Sequence, residues 1–393
     1  MKMKVVDFKT YVVGNPPPSF GGKYWIFLKL TTDSGISGFG EAYGIPFHPK
    51  VARQMIEDVC ERYILNENPF NIEKIWRRVF SSGYSQRPDI SLGGVLSAIE
   101  IALWDINGKE LNKPIYELLG GKHTEKLRTY TYIYPEPNDA SNVYTNAILA
   151  GERAAEYLKQ GFDAVKFDPV GLYKINDPRV LTSKEISFVA DFVKTVREAV
   201  GDQCDLLIGT HGQMTPESAI RLSTEIEKYD PFWLEEPVPP NNSNAMAKVA
   251  RHINFPVAAG ERLTTKYEFN EIINKQAASI LQLNMGRVGG ILEGKKIASM
   301  AEANHLSIAP HMYCGPIVAA ANIQVAASIS NFLILEGIKD WKGFDCKIMK
   351  KYFKWEAGSV LLNEAPGLGV EIDEDMIESF PYEGDSLHLE MSE

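Results

Sequence analysis

Two short stretches constrain this chain more than any others: Phe232-Trp233-Leu234-Glu235-Glu236-Pro237 and Val257-Ala258-Ala259-Gly260-Glu261-Arg262. Each is a brief apolar run ending in a carboxylate and then a turn-prone residue. That is the pattern of a strand buried on both faces whose carboxyl end opens onto a site. Ser243 to His252, between them, has helical patterning, so the pair reads as one βαβ unit with an acid at each strand tip. Adjacent parallel strands hold such tips side by side, where two carboxylates repel one another unless a hard cation such as Mg²⁺ lies between them. Taken singly, Glu235 and Glu261 could each be a helix-capping or ion-paired residue at an ordinary strand end. Two in register on consecutive units point to a site.

The same alternation runs through the rest of the chain. Short apolar runs at 128–134, 164–167, 205–208, 232–234, 257–259, 280–283, 307–309 and 332–335 are separated, for the most part, by helical material. Eight such runs predict a closed α/β barrel. A doubly wound open sheet is the alternative, but no GxGxxG follows any run. The opening third is different. Strands at 4–13, 24–32 and 36–43, the last two joined at Asp33-Ser34-Gly35, precede helices at 50–63, 72–80 and 92–111, an α+β arrangement. Gly120-Gly121 stops the last helical stretch. The expected organisation is an α+β unit over 1–124, a barrel over 125–355 and a closing segment over 356–393.

A length of 393 residues with 45% apolar side chains suits a large barrel plus a small companion. A net charge of −10 without a basic stripe argues against nucleic acid as a partner. Cys60, Cys204, Cys314 and Cys346 show neither CxxC nor zinc spacing, so reduced thiols in a cytoplasm are the simplest reading. Met1 to Val5 reads as the start of a strand and not as a signal peptide, and no apolar run is expected to span a membrane.

In a barrel, chemistry sits at the carboxyl ends of the strands. The second run ends Lys166-Phe167-Asp168, and period-two alternation puts Lys166 and Asp168 on one face, as a site pair or as a structural ion pair. The third continues into Gly209-Thr210-His211-Gly212-Gln213, and the sixth ends Gln282-Leu283-Asn284. The seventh ends Ala309-Pro310-His311 and the eighth Leu335-Glu336-Gly337.

Leu234-Glu235-Glu236-Pro237, Ala259-Gly260-Glu261-Arg262 and Ala309-Pro310-His311 together resemble the enolase superfamily, its mandelate racemase branch, and within that the gluconate- and galactonate-type acid-sugar dehydratases. The resemblance spans nearly the whole chain. It implies a (β/α)7β TIM-like barrel with an N-terminal α+β capping domain completed by the C-terminal segment, a sugar acid as substrate, and a homo-oligomer. It also implies Mg²⁺ on Glu235 and Glu261, and removal of a proton α to a carboxylate followed by loss of the β-hydroxyl. His311 would be the base, with Asn284 orienting it through its amide oxygen, and His211 the acid that expels the hydroxyl. Glu336 would donate a hydrogen bond to the intermediate, and Lys166 would bind the substrate carboxylate. Tyr24 and His48 fall in stretches that correspond to the family's cap loops, which makes them candidate substrate contacts.

The chain departs from the family in three places. Gly209 stands where a third metal-binding acid is expected, Gln213 where an Arg is, and Asn284 where an Asp is. Two outcomes stay open: Asp168 supplies the third carboxylate or water does, or there is no metal and Lys166 and Arg262 relieve the two Glu. On this alignment Gly209→Asp should strengthen Mg²⁺ binding. Racemisation, epimerisation or cycloisomerisation on the same scaffold is the alternative activity, and a barrel that binds a sugar acid without turning it over is the alternative class.

Overall fold

The computed structural model describes residues 3–393. Three antiparallel strands come first: β1 (Val5–Gly14), β2 (Tyr24–Thr32) and β3 (Ser37–Ala42). Gly35, at φ +85, supplies the left-handed residue in the β2–β3 connection. The helix Ile90–Glu110 lies on this sheet, its first turn held by Asp89 accepting from Leu92 N at 2.8 Å. Close approach is possible because Gly38 and Gly40 face it: a Cβ on Gly40 would stand 1.7 Å from Ala98 O. By length and composition this helix could cross a membrane, contrary to the expectation from sequence. Its most apolar window is 83% buried, however, because sheet and neighbouring helices cover it on all sides.

The barrel follows in β4 (Lys126–Tyr132), β5 (Ala164–Phe167), β6 (Asp205–Gly209), β7 (Pro231–Glu235), β8 (Val257–Ala259), β9 (Ile280–Leu281), β10 (Ser307–Ile308) and β11 (Leu335–Gly337). All pair in parallel in chain order from β4 to β10. The sheet closes where β11 pairs with β4 and Phe332 bridges to Ile308, which rules out an open doubly wound sheet. Tyr130, Ala164, Leu207, Trp233, Ala258, Ile280, Ala309 and Ile334, one from each strand or the residue flanking it, pack together as a layer inside the barrel. Two residues further along each chain, the next inward layer is Tyr132, Lys166, Gly209, Glu235, Gly260, Gln282, His311 and Glu336. The apolar layer is thus the floor and the polar one the site.

Beyond the barrel, 354–356 and 359–361 form a hairpin paired to β4, so the expected hand-over at 356 falls inside an extension of the barrel sheet. The chain then returns to the cap: Gly14 N donates to Phe380 O at 2.7 Å and Tyr382 N to Val12 O at 2.9 Å. Two buried cap carboxylates reach the other way. Glu41 accepts from Gly315 N (2.7 Å) and Val318 N (2.9 Å) at the start of the helix Pro316–Ala327. Glu100 accepts from Ile291 N (2.6 Å) and Leu292 N (2.8 Å) at the start of the helix Ile291–Glu302. Each satisfies N–H groups that a helix leaves free, in the field of its positive end.

Candidate active site

Lys166, Asp168, His211, Glu235, Glu261, His311 and Glu336 converge at the carboxyl end of the barrel. Lys166 and Glu235 arrive by strand alternation, facing inward on β5 and β7. Glu261 lies one residue out of that register, and Gly260, at φ +134, turns the chain so that its carboxylate joins them. His211 (φ +43) and Glu236 (φ +40) are non-glycine residues in the left-handed region, local strain of the kind that site geometry imposes.

Lys166 Nζ donates to Glu235 and lies 3.8 Å from Glu336 Oε1. Its charge is therefore taken up by protein carboxylates, where the resemblance assigns it to the substrate. The other oxygen of Glu235 accepts from Gln282 Nε2 at 2.6 Å and Trp233 Nε1 at 3.2 Å. Burial, opposed by Lys166 but assisted by Glu261 and Glu336, pushes Glu235 up to about 8, while Glu235 and Glu336 hold Lys166 charged against its burial.

Glu261 has an imidazole on either side. His211 Nε2 is 3.7 Å from its Oε1 and His311 Nε2 is 3.7 Å from its Oε2. The two rings differ in their other neighbours. Burial disfavours charge on His211, but Asp168 Oδ2, 2.6 Å from Nδ1, and Glu261 outweigh it and raise the ring to about 9. Burial prevails at His311 over Glu261 and Glu336, with Lys166 and Arg287 adding to it, and holds the ring below the usual range. Glu261 itself, despite its burial, is held well below the usual carboxylate range by His211, His311, Lys166 and Arg262.

Asn284 does touch His311, but with the opposite end of its amide from the one expected. Its Nδ2 faces His311 Nδ1 at 3.0 Å and donates to His311 O at 3.2 Å, because Oδ1 already accepts from Gly286 N at 2.8 Å. The ring nitrogen beside Asn284 must accept, so the neutral imidazole carries its proton on Nε2.

The volume above Gly209 is filled by Asp168. A Cβ on Gly209 would lie 1.9 Å from Asp168 Oδ1, so a side chain at 209 requires Asp168 to move. Asp168 Oδ1 and Glu261 Oε2 are buried with no hydrogen-bond partner among the described residues. One ligand atom each from His211, Glu235 and Glu261 lie within 4.8 Å of one another. Asp168, Glu235, Glu236, Glu261 and Glu336 are five buried carboxylates, set against three cations, Lys166, Arg262 and Arg287. The orphaned carboxylate oxygens among them fit a hard cation.

Two expected contacts lie elsewhere. His48 caps the helix Pro49–Val59, its Nδ1 accepting from Lys50 N at 3.1 Å. Tyr24 packs its ring against Tyr382 and His388, outside the carboxylate cluster. Three further participants have no role assigned from sequence, although Tyr43 lies in a cap-loop stretch and Glu236 in the Glu235 motif. Tyr173, in the loop after β5, donates to Asp168 and packs 4.5 Å from the His211 ring. Tyr43 lies 5.4 Å from the His311 ring. Glu236 pairs with Arg262 Nε at 2.7 Å, and only its place beside Glu235 could have flagged it.

Acids and imidazoles gathered at the open end of a closed β/α barrel, beneath an α+β cap, define an enolase-type enzyme. The chain belongs to the enolase superfamily: residues 150–376 match the enolase C-terminal domain-like family, and residues 18–120 match the N-terminal domain family of mandelate racemase and muconate lactonizing enzyme. It is 35% identical, over 98% of its length and 90% of the relative's, to D-xylonate dehydratase of Haloferax volcanii. It is 33% identical to D-gluconate/D-galactonate dehydratase of Picrophilus torridus, over 91% of this chain and 89% of that one. Among solved structures, a mandelate racemase/muconate lactonizing enzyme-like protein from a Roseovarius species superposes with a TM-score of 0.96 at 48% identity, over 99% of this chain and 98% of that one.

Proposed function

We propose that this protein is an acid-sugar dehydratase, a hydro-lyase that takes an aldonate or aldarate to its 2-keto-3-deoxy acid. The observation that carries this reading is the pair of imidazoles flanking Glu261, with protonation driven in opposite directions by their surroundings. Groups whose environments separate their pKa values in this way divide the acid and base roles between them. His211, paired with Asp168, holds a proton at neutral pH, and His311 does not. The relatives named for dehydrating D-xylonate and D-gluconate or D-galactonate support the same substrate class.

In this scheme His311 takes the hydrogen from the carbon next to the carboxylate, and the C–H electron pair becomes the double bond of an enediolate. The β-hydroxyl then leaves with the His211 proton as water, and the enol so formed settles as the 2-keto acid. Glu336, whose Oε2 accepts from Met312 N at 2.7 Å and lies 3.9 Å from His311 Nε2, is the group beside the base that would meet the substrate carboxylate. Asp168 Oδ2, which accepts from Tyr173, stands 2.6 Å from His211 Nδ1, and the Tyr173 ring packs against the imidazole. Glu235, Glu261 and Asp168, with His211 beside them, would hold Mg²⁺, Asp168 standing in for the acid absent at Gly209. The cation supplies positive charge to offset what develops on the substrate carboxylate.

Incubation with Mg²⁺ and a panel of sugar acids, followed by detection of 2-keto-3-deoxy product, tests the reading. Product from at least one acid is expected. Binding without turnover across the panel would sink it. Two imidazoles facing one carboxylate could also serve epimerisation. Recovery of the C2 epimer from deuterated water, with no 2-keto product, would identify that activity instead.

A further inference from the structure

Past Tyr382, whose N–H donates to Val12 O on β1, the chain crosses the mouth of the barrel. His388 is seated between three tyrosines: its Nδ1 lies 3.2 Å from Tyr24 O and its Nε2 3.3 Å from Tyr313 O, and its ring stands edge-on to Tyr43 at 5.0 Å. The seat is shaped for it. A Cβ on Gly22 (φ +103) would come within 1.9 Å of the imidazole, so only glycine leaves room. Four residues later the same segment is pinned on the other side of the mouth. Ser392 N and Oγ donate to Tyr173 O at 2.9 and 2.6 Å, and Ile175 N donates to Ser392 O at 3.0 Å.

These anchors are the supports of the two site imidazoles. Tyr43 packs against His311, and Tyr173 packs against His211 while holding Asp168. A segment tied to both spans the opening above Glu261. It is held there lightly, by three hydrogen bonds at Ser392, one long hydrogen bond from the neutral His388 ring to one of its two carbonyl neighbours and a Lys23–Glu390 ion pair at 3.9 Å, with Leu389 and Met391 between them exposed. Attachment of that kind opens locally far more easily than the barrel unfolds.

We propose that residues 387–392 form a strap across the active-site mouth, and that its seating on Tyr43 and Tyr173 controls entry to the chamber and walls in the substrate. His388 is the positioning residue that sets the strap against Tyr43. The kinetic part of the test rests on the dehydratase reading; the labelling part does not.

Three variants separate the strap from the fold: truncation after Asp385, His388→Ala, and Gly22→Ala, which ejects the imidazole from a full-length chain. Diethyl pyrocarbonate labelling read by peptide mass spectrometry reports access to His211 and His311. In the truncated chain both should be labelled about 10-fold faster, with the thermal midpoint within a few degrees of the parent, and the point variants should give a smaller gain at His311. For whichever of D-xylonate, D-gluconate or D-galactonate is turned over, KM should rise about 10-fold while kcat changes by less than about 3-fold, and His388→Gln should recover part of the loss. Unchanged labelling rates in all three variants would overturn the proposal, as would a fall in kcat with KM unmoved. If the parent chain turns over none of the acids, the dehydratase reading fails and the labelling rates alone decide the strap.

Discussion

Asn284 offers the sharpest test of the catalytic scheme. For His311 Nε2 to take hydrogen from carbon, the ring proton must sit on Nδ1, and the observed amide presents a donor there. Turning the amide would surrender the bond to His311 O and the bond from Gly286 N. Two such bonds at about 1 kcal/mol each amount to about 2 kcal/mol, or a ~30-fold restriction on the reactive form at 1.36 kcal/mol per decade. Asn284→Asp should remove that restriction, because a carboxylate accepts from both Nδ1–H and Gly286 N–H. His311 O would keep its bond from Asn322 Nδ2 at 2.9 Å. The expected outcome is about 30-fold faster deuterium incorporation at C2 of a turned-over sugar acid, with ¹⁵N spectra showing the His311 proton moved to Nδ1. If the variant keeps the parent tautomer, or gains the new one and exchanges no faster, the reasoning about His311 is refuted.

Other perturbations probe the remaining groups. Asp168→Asn takes the carboxylate from His211, so its ring should fall from about 9, and the alkaline loss of activity, set by deprotonation of the acid, should begin at lower pH. Gly209→Asp should lower the thermal midpoint by the equivalent of about 1–3 kcal/mol through its collision with Asp168. Adding Asp168→Ala should restore stability and keep Mg²⁺ binding measurable by calorimetry. Glu261→Gln should abolish that binding heat. His388 is held at about 4 by burial, against the pull of two carbonyls, and ionises near 6.5 in the unfolded chain. Between those values the unfolded chain binds more protons, so stability falls as pH drops through that window, and His388→Gln should flatten this limb in thermal melts across pH 4–7.

Much of the site was legible because barrel strands impose a strict rule. Once Trp233 is known to point inward, Glu235 must as well, and the same step from Ala164 to Lys166, Ala309 to His311 and Ile334 to Glu336 assembles the ring. What the rule does not contain is side-chain competition. Asn284 turned its nitrogen to His311 because a backbone N–H two residues away claimed the oxygen, and no spacing encodes that. Asp168 leaned into the space over Gly209, which only the volumes on two neighbouring strands reveal. Tyr173 and His388 come from irregular segments without periodicity, and Ile90–Glu110 looks like a membrane span because a helix covered on all sides needs no polar face.

Glu41 and Glu100 have a bearing on how the molecule breathes. Each sits on the cap with its head group locked into the start of a barrel helix, out of water's reach. Swinging the cap away would break all four of these bonds between cap and barrel at once, at about 0.5–1.5 kcal/mol each. The two halves of the protein are therefore riveted rather than hinged, and traffic to the chamber must pass through small flaps at its rim.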